Sequence, residues 1–231
     1  MARRTKLSAE EMQSRLLYRD GLILIVDKPA GLPVHKGPSG GPCLEDSFDA
    51  LQFGLPKPPA LAHRLDTDTS GCLVLGRHAK ALRKLGKIFS SGQVQKTYWA
   101  VVHGTMPKSA GTIDAPLVKR SSKAKGWRME VAAEGQKAVT HYNVLGEAEG
   151  LSWVEFQPKT GRTHQIRIHA LHIGCPLVGD PIYGQGNEGP MHLHARHIQF
   201  KLQLSKPDIS VTAEVPGHMI EKLRICGFEN P

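Results

Sequence analysis

Short apolar segments with a period of two dominate this chain of 231 residues. The run LILIV at 22–26 predicts a buried strand, and KTYWAVVHG at 96–104 alternates as a half-buried strand does. KAVTHYNVLG and LSWVEFQP flank the turn EAEG, so they predict a hairpin over 137–158. Further strands are predicted in CLVLG, GTIDAPLV, LHARHIQFKL and ISVTAEV, at 72–76, 111–118, 193–202 and 209–215.

Apolar positions at helical spacing are fewer. Ser8 and Glu11 are spaced as a capping box for a short N-terminal helix. The other helices are predicted by Leu44, Phe48 and Leu51; by Ala79, Leu82, Leu85 and Phe89; by Ile166, Ala170 and Ile173 between an N-cap at Thr163 and a stop at Gly174; and around Ile220 to Ile225. Strands outnumber helices without regular βαβα alternation, which predicts an α+β fold with a mainly antiparallel mixed sheet and flanking helices.

Residues 1–15 are polar and basic, and we expect them to form an arm ahead of one domain at 16–231, since no linker separates the rest. No apolar run approaches the roughly 18 residues of a membrane span, and the N-terminus lacks a secretory h-region. We therefore expect a cytoplasmic protein that does not enter a membrane. The cysteines Cys43, Cys72, Cys175 and Cys226 lack C-x-x-C spacing and are predicted to be reduced structural thiols.

The charge balance points to a polyanion. Thirty Lys and Arg against 21 Asp and Glu give a formal net charge of +9. Such an excess attracts nucleic acid through phosphate contacts and counterion release. A solvated basic surface without a partner explains the charge equally well, so the charge alone does not decide between them.

The stretch AHRLDTDTSGCLVLGR at 62–77 places two aspartates among residues that favour turns, directly before a strand. For Asp68 we interpret the pattern as a turn. Asp66, two residues after Arg64, is a candidate nucleophile or base, because a nearby cation keeps a carboxylate ionised. From the local sequence alone, a structural turn remains the stronger interpretation of Asp66 as well.

Four separated blocks change that balance: LILIVDKPAGLPVH, HRLDTDTSG, KTYWAVVHG and TGRTHQIRIHALHIGCPLVGDPIYG. In order and spacing they closely resemble the RluA-type pseudouridine synthases, from about residue 16 to about residue 205. The resemblance implies an isomerase that detaches uracil from the ribose C1′ and rejoins it through C5. It also implies a fold with a central active-site cleft, no cofactor and no metal, and Asp66 as the catalytic residue. Whether Asp66 attacks C1′, adds to C6 or deprotonates C2′ stays open.

The resemblance also implies roles for other residues. Tyr98 matches the family's active-site tyrosine, and Arg167 matches the basic partner of the aspartate, with Ile166 and Ala170 packed inward on the same helix. Arg64 is expected to fill the gap left by the flipped nucleotide, although a structural ion pair is equally compatible with it. His63 is grouped with the same RNA-contacting residues.

Several cations are candidates for phosphate contacts. Lys28 and Arg162 lie inside the matched blocks. The segment KRSSKAKGWRME at 119–130, interpreted as a basic loop, supplies Lys119, Arg120, Lys123, Lys125 and Arg128. For each cation of this loop taken singly, a solvated surface role is the stronger interpretation.

Two other functions compete with that of a pseudouridine synthase. A zinc hydrolase is disfavoured, because the histidines at 164–172 and 192–197 form no H-E-x-x-H motif. A catalytically silent RNA-binding or ribosome-assembly module would not need Asp66, Tyr98 and Arg167 together. The resemblance begins near Leu16, so we expect no N-terminal S4-type domain. The predicted partner is tRNA, large-subunit ribosomal RNA or both, bound by a monomer.

Overall fold

Alternating apolar segments become antiparallel strands in the computed structural model, which describes residues 6–37, 40–122, 126–186 and 189–229. The strands are β1 (Leu16–Arg19), β2 (Ile23–Lys28), β3 (Ala60–Leu61), β4 (Ser70–Gly76), β5 (Gln95–His103), β6 (Ala110–Asp114), β7 (Leu117–Ser122), β8 (Gly126–Val131), β9 (Val139–Ala148), β10 (Leu151–Pro158), β11 (Leu193–Phe200) and β12 (Ile209–Thr212). The α-helices are α1 (Ala9–Ser14), α2 (Ala79–Ser90), α3 (Gln165–His172) and α4 (Gly217–Ile225), and a 3₁₀ helix spans Leu44–Leu51. The predicted α+β class is confirmed.

The chain divides into two compact units. The first unit is the chain up to Lys96 together with Ala195–Glu214, and the second is Thr97–His194 with the chain from Val215 on. No helix of the described part is long and apolar enough to cross a bilayer. The boundary predicted between an arm and a domain at residue 16 stays a prediction.

In the first unit, β2 lies between β1 and β4 and pairs antiparallel with both. β3 adds to β4, and β12 pairs antiparallel with β11. All seven residues of β4 are buried, as expected for a central strand. The hydrophobic core of the first unit contains Ile23, Ile25, Val74, Leu85, Ile88, Ile198 and Phe200.

Two helices of the first unit differ in detail from the prediction. The segment around Phe48 is helical, but as a 3₁₀ helix rather than an α-helix. On α2 the buried stripe is Ala81, Leu85 and Ile88, and Leu82 instead covers Gly76, where an added Cβ would lie 2.6 Å from its side chain. The capping box of Ser8 and Glu11 is confirmed, and it begins α1.

The second unit contains an antiparallel sheet in the order β5-β10-β9-β6. The predicted hairpin over 137–158 is confirmed as β9 and β10, whose turn contains Glu149 and Gly150 in the left-handed region. Helix α3 packs against this sheet through Ile166 and Ala170, which share a core cluster with Val154. The helix ends before Gly174, which has φ +83° and confirms the predicted stop.

The basic segment at 119–130 is not a loop, and that prediction is wrong. Its described residues form the antiparallel hairpin of β7 and β8, with Lys119 opposite Met129 and Ser121 opposite Trp127. Met129 is buried against Ile168, and this contact anchors one face of the hairpin in a core cluster. The strand pattern is concealed, because the consecutive residues Lys119, Arg120 and Ser121 are all exposed.

The four cysteines are buried and free, which confirms the prediction of reduced thiols. Burial raises the pKa of the Cys72 thiol to about 12, so this group remains a neutral, unreactive thiol at physiological pH.

Candidate active site

Asp66 lies at the start of a tight turn immediately before β4. The Thr69 N–H donates to the Asp66 carbonyl oxygen at 3.2 Å, which closes the turn over Thr67 and Asp68. The interpretation of Asp68 as a turn residue is thus confirmed. Asp66 is half-buried, whereas Thr69 and Ser70 are buried behind it, so the turn presents the Asp66 carboxylate at the rim of the buried strand.

Lys28 holds this turn from inside the protein. Its side chain is fully buried, and Nζ donates to the carbonyl oxygens of Pro29 at 2.9 Å, Thr67 at 2.9 Å and Thr69 at 2.8 Å. An ammonium group has three N–H donors, and three carbonyls already receive them. The prediction that Lys28 binds phosphate is therefore wrong: this cation fixes the backbone on both sides of Asp68.

Gly71 fixes the other end of the turn. Its φ is +105°, and a Cβ at this position would lie 2.3 Å from the carbonyl oxygen of Ala195 on β11. Only glycine permits this conformation together with so close an approach of the neighbouring strand. The turn is thus rigid at both ends, which is the condition for orienting a catalytic carboxylate.

His63 is half-buried and packs within the first unit. Its Nε2 accepts the Val74 N–H at 3.0 Å, and its ring stacks on Phe89 with centroids 4.6 Å apart. Burial first, and then the charge of Lys96, lower the pKa of His63 to about 3. The ring is therefore neutral at physiological pH with its acceptor nitrogen in use, and the prediction that it contacts RNA stays a prediction.

Arg64, the next residue, is exposed. Within the described residues, no carboxylate pairs with its guanidinium. Of the two roles that the sequence left open for Arg64, this favours the base-stacking role over a structural ion pair.

In the second unit, Tyr98 lies on β5 directly opposite Phe156 of β10. It is half-buried and packs against the core cluster that contains Phe156 and Ile166. One side of the ring thus contributes to the core, and the exposed remainder lies at the edge of that core. This arrangement is compatible with the aromatic platform that the resemblance implies.

Arg167 is buried on α3 in a bidentate ion pair that the sequence analysis missed. Its Nε and Nη2 donate to the two carboxylate oxygens of Asp180, both at 2.7 Å, and its side chain is 3% exposed. Burial alone would raise the pKa of Asp180, but the hydrogen bonds and charge of Arg167 lower it below its ordinary value. Asp180 also accepts the backbone N–H groups of Ile182 and Tyr183. The only sign of this ion pair in the sequence is the aspartate within the matched stretch GDPIYG.

The start of α3 differs from the prediction as well. The N-cap is His164, in the left-handed region at φ +53°, and not Thr163. Gln165 compensates, because its Oε1 accepts the Arg162 N–H at 3.0 Å and its Nε2 donates to the Val139 carbonyl at 3.0 Å. Almost every side chain of the first turn and a half is buried, so α3 has no clean division into an inward face and a face carrying Arg167.

The remaining predicted cations have different surroundings. Arg162 is exposed, with Nε donating to the Lys137 carbonyl at 3.1 Å. Arg120 pairs with Glu134 and Arg128 with Glu130, so both have carboxylate partners. Lys123 and Lys125 lie outside the described residues.

The clustered histidines are engaged in hydrogen bonds within the fold. His169 contacts the Thr140 hydroxyl at 2.9 Å and the Ala115 carbonyl at 3.0 Å, and His192 contacts the Pro190 carbonyl at 2.9 Å. Across the ranges that the structure describes, no group of three or more His, Cys, Asp or Glu side chains could hold a metal ion. These contacts account for both ring nitrogens of His169 and for one ring nitrogen of His192.

Comparison with known proteins agrees with the resemblance. The family model for RNA pseudouridylate synthase matches residues 22–172. The chain belongs to this family. An RNA pseudouridine synthase of Zymomonas mobilis, described as uncharacterized, is 46% identical over 209 residues, which cover 89% of this chain and 94% of that protein. The protein is therefore an isomerase that converts uridine in RNA to pseudouridine.

Two further relatives extend the comparison. Ribosomal large subunit pseudouridine synthase D of Pseudomonas aeruginosa is 40% identical over 181 residues, covering 76% of this chain and 55% of that protein. The solved structure of human RNA Pseudouridylate Synthase Domain Containing 4 matches with a TM-score of 0.80 and 28% identity, covering 96% of this chain and 97% of that chain. The fold is that of a pseudouridine synthase.

Proposed function

We propose that Asp66 is the catalytic residue of this pseudouridine synthase and that its substrates are uridines of large-subunit ribosomal RNA or tRNA. The observation that carries the proposal is the turn that presents Asp66, held by the buried Lys28 ammonium and by Gly71. Rigid backbone on both sides of a half-buried carboxylate supplies the orientation that a nucleophile or base requires.

The reaction needs a single oriented carboxylate and no co-reactant. The C1′–N1 bond breaks, the base turns within the site, and a C1′–C5 bond forms. The proton at C5 leaves and N1 gains one, so the product is an isomer of the substrate. A carboxylate at position 66 can serve as nucleophile or as base in this sequence.

A uridine stacked in RNA must first leave its stack, which requires a few kcal/mol. We assign Arg64 to this step, because its exposed guanidinium can stack in place of the flipped base and bind phosphate. Tyr98 is assigned to the flipped ring as its aromatic platform. Arg167 is assigned as the basic partner of the aspartate, a role carried over from the resemblance. Within the second unit, two hydrogen bonds to Asp180 hold the guanidinium in one orientation.

The choice of RNA follows the relatives. Two proteins at 40% and 35% identity, from Pseudomonas aeruginosa and Xanthomonas campestris, are named ribosomal large subunit pseudouridine synthase D. This favours large-subunit ribosomal RNA, and tRNA remains the second candidate. Mapping pseudouridines in both RNAs, from cells with and without the protein, identifies the target.

The test of the catalytic role is Asp66→Asn, with Asp68→Asn as a matched control from the same turn. RNA from cells lacking the protein is the substrate, and pseudouridine formation is measured in single turnover. We expect Asp66→Asn to lower the rate by at least about 10³-fold, since the reacting carboxylate is lost. RNA affinity should change less than about twofold.

Asp68→Asn should retain the rate within about threefold, because a turn residue tolerates asparagine. Substantial activity in Asp66→Asn would contradict the proposal. A catalytically silent binding module, the rival function, predicts no product from either variant or from the wild-type protein.

A further inference from the structure

Trp127 is an exposed aromatic side chain on a basic hairpin. It keeps 44% of its surface exposed, and it is the one aromatic among the large exposed hydrophobic residues of the described chain. The other two tryptophans, Trp99 and Trp153, pack edge to face on each other and on Phe228. An exposed indole does not contribute the stabilisation that its burial would give. The exposure of Trp127 on β8 therefore requires an explanation.

The exposed indole is held in place by its neighbours. Its ring stacks on His164 with centroids 5.1 Å apart and an interplanar angle of 29°. The Lys119 ammonium lies 4.8 Å from the ring centroid. Met129, two residues further along β8, packs in a core cluster and so fixes the strand that carries Trp127. Trp127 is therefore a supported, partly exposed aromatic side chain with a cation over its ring.

The charges around the platform single out Lys119. Arg120 and Arg128 of the same hairpin pair with Glu134 and Glu130. The Lys119 ammonium instead lies over the Trp127 ring, and the ion pairs of the described residues do not include it. A partly exposed indole and a lysine ammonium match the two parts of a nucleotide, a base that stacks and a phosphate that pairs.

The platform is connected to the buried arginine within the same unit. His164, which stacks on Trp127, contacts the Tyr183 hydroxyl through Nδ1 at 2.9 Å. The Arg167 guanidinium lies 5.0 Å from the centroid of the Tyr183 ring. A nucleotide on Trp127 would thus lie two side chains away from Arg167.

We propose that Trp127 is a stacking site for an unpaired base of the substrate RNA and that Lys119 binds the phosphate next to that base. The inference rests on the proposed function, because it assumes that this unit meets single-stranded RNA near the target uridine. It assigns substrate positioning to a hairpin outside the four matched blocks. Stacking tolerates any base, so the site selects for unpaired structure rather than for sequence.

The test is equilibrium binding of the full-length protein to a fluorescein-labelled oligouridine of 15 nucleotides and to the corresponding A·U duplex. Trp127→Ala should weaken binding of oligouridine about tenfold, from the loss of one base–aromatic stack. Duplex binding should change less than about twofold, because its bases are already stacked. Trp127→Phe should restore affinity to within about threefold of wild type, and Leu145→Ala, a control with 40% exposure in the same unit, should have no effect.

Lys119→Gln tests the phosphate contact separately. The slope of log K against log salt for oligouridine should fall by about 0.7, the value for one phosphate contact on a single strand. An unchanged slope would overturn the part of the proposal that concerns Lys119.

Wild-type affinity of Trp127→Ala for oligouridine, or an equal loss for oligouridine and duplex, would overturn the stacking site. If Trp127→Ala does not fold, the tryptophan emission of the wild type should be quenched by oligouridine more strongly than that of Trp127→Phe, and equal quenching would overturn the proposal. Asp66→Asn should bind like the wild type. An active Asp66→Asn protein would defeat the proposed function and leave these binding results unaffected.

Discussion

Lys28 in the first unit and Arg167 in the second are both buried cations from the matched blocks, yet their charges are satisfied in different ways. Lys28 donates to three backbone carbonyls, whereas Arg167 forms two parallel hydrogen bonds to the Asp180 carboxylate. A compact ammonium with rotatable donors can gather carbonyls from different directions, and a planar guanidinium matches a carboxylate. The lysine therefore fixes backbone, and the arginine is itself held in one orientation.

The comparison shows that a buried cation is not by itself a functional cation. Both residues lie in matched blocks, where Lys28 is predicted to contact phosphate and Arg167 to be the basic partner of the aspartate. Burial removes Lys28 from any role at the RNA surface, and it makes Arg167 dependent on a carboxylate 13 positions further along the chain. Each difference can be tested by removing one partner.

Asp180→Asn should have the largest effect, because it leaves a buried guanidinium without its counterion. We expect the free energy of unfolding to fall by about 3 kcal/mol and pseudouridine formation to fall more than about tenfold. Urea denaturation and single-turnover assays measure the two effects. Asp208→Asn is the control, since Asp208 forms a pair with Lys201 that is exposed on both sides, at 3.7 Å, and its loss should change little. Equal effects of the two variants would show that the buried pair does not position Arg167.

Lys28→Met should have the next largest effect. Three carbonyls around Asp66 lose their donor, and we expect a loss of about 2 kcal/mol in the free energy of unfolding together with a lower kcat. The KM for RNA should stay near the wild-type value, because Lys28 does not reach the surface. Lys36→Met, which removes an exposed lysine, is the matched control. A higher KM with unchanged kcat would instead indicate that Lys28 contacts a phosphate of the RNA, contrary to its burial in the structure.

Acid should destabilise the protein through His63 and Asp180 in different pH ranges. The folded protein resists protonation of His63, whose pKa is lowered from about 6.5 to about 3, so stability falls as the pH falls from about 6.5 toward 3. The lowered pKa of Asp180 acts in a more acidic range. The contribution of Asp180 to the free energy of unfolding is complete above its unfolded pKa of about 3.9 and is lost as the pH falls below that value.

His63→Phe should therefore reduce the loss of unfolding free energy between pH 7 and pH 5 by up to about 2 kcal/mol. At pH 7 the variant should be less stable by about 1 kcal/mol, because the Val74 N–H loses its acceptor. His169 of the second unit, whose pKa burial also lowers, accounts for part of the remaining dependence. Urea titrations at both pH values measure the difference, and an unchanged slope would mean that His63 titrates in the folded protein.

Arg162→Gln should have the smallest effect. As an exposed cation proposed to contact phosphate, its removal should weaken RNA binding about two- to fivefold and leave the free energy of unfolding unchanged. The salt dependence of binding provides the check, and Lys137→Gln, a neighbouring lysine outside the matched blocks, is the comparison. Identical effects of the two variants would indicate general attraction by the basic surface.

Elements with a clear period and clear turn residues could be predicted from the sequence. The hairpin over 137–158 and the capping box of α1 were predicted correctly, since local chemistry determines both. The hairpin at 119–130 was missed, because Met129 is buried through contact with Ile168, a residue distant along the chain. The pairing of Arg167 with Asp180 has no local pattern.

The sequence by itself determined the family, the order of the strands along the chain and the aspartate on which the chemistry is proposed to depend. These properties depend on short stretches of contiguous residues, which can be identified in the sequence without the fold. Only the tertiary structure decided that Lys28 is buried, that His63 accepts a backbone N–H and that Arg167 has a carboxylate partner. It also decided that Trp127 is partly exposed with Lys119 over its ring. Burial and the partner of a charge depend on residues distant along the chain, and a local pattern contains no information about them.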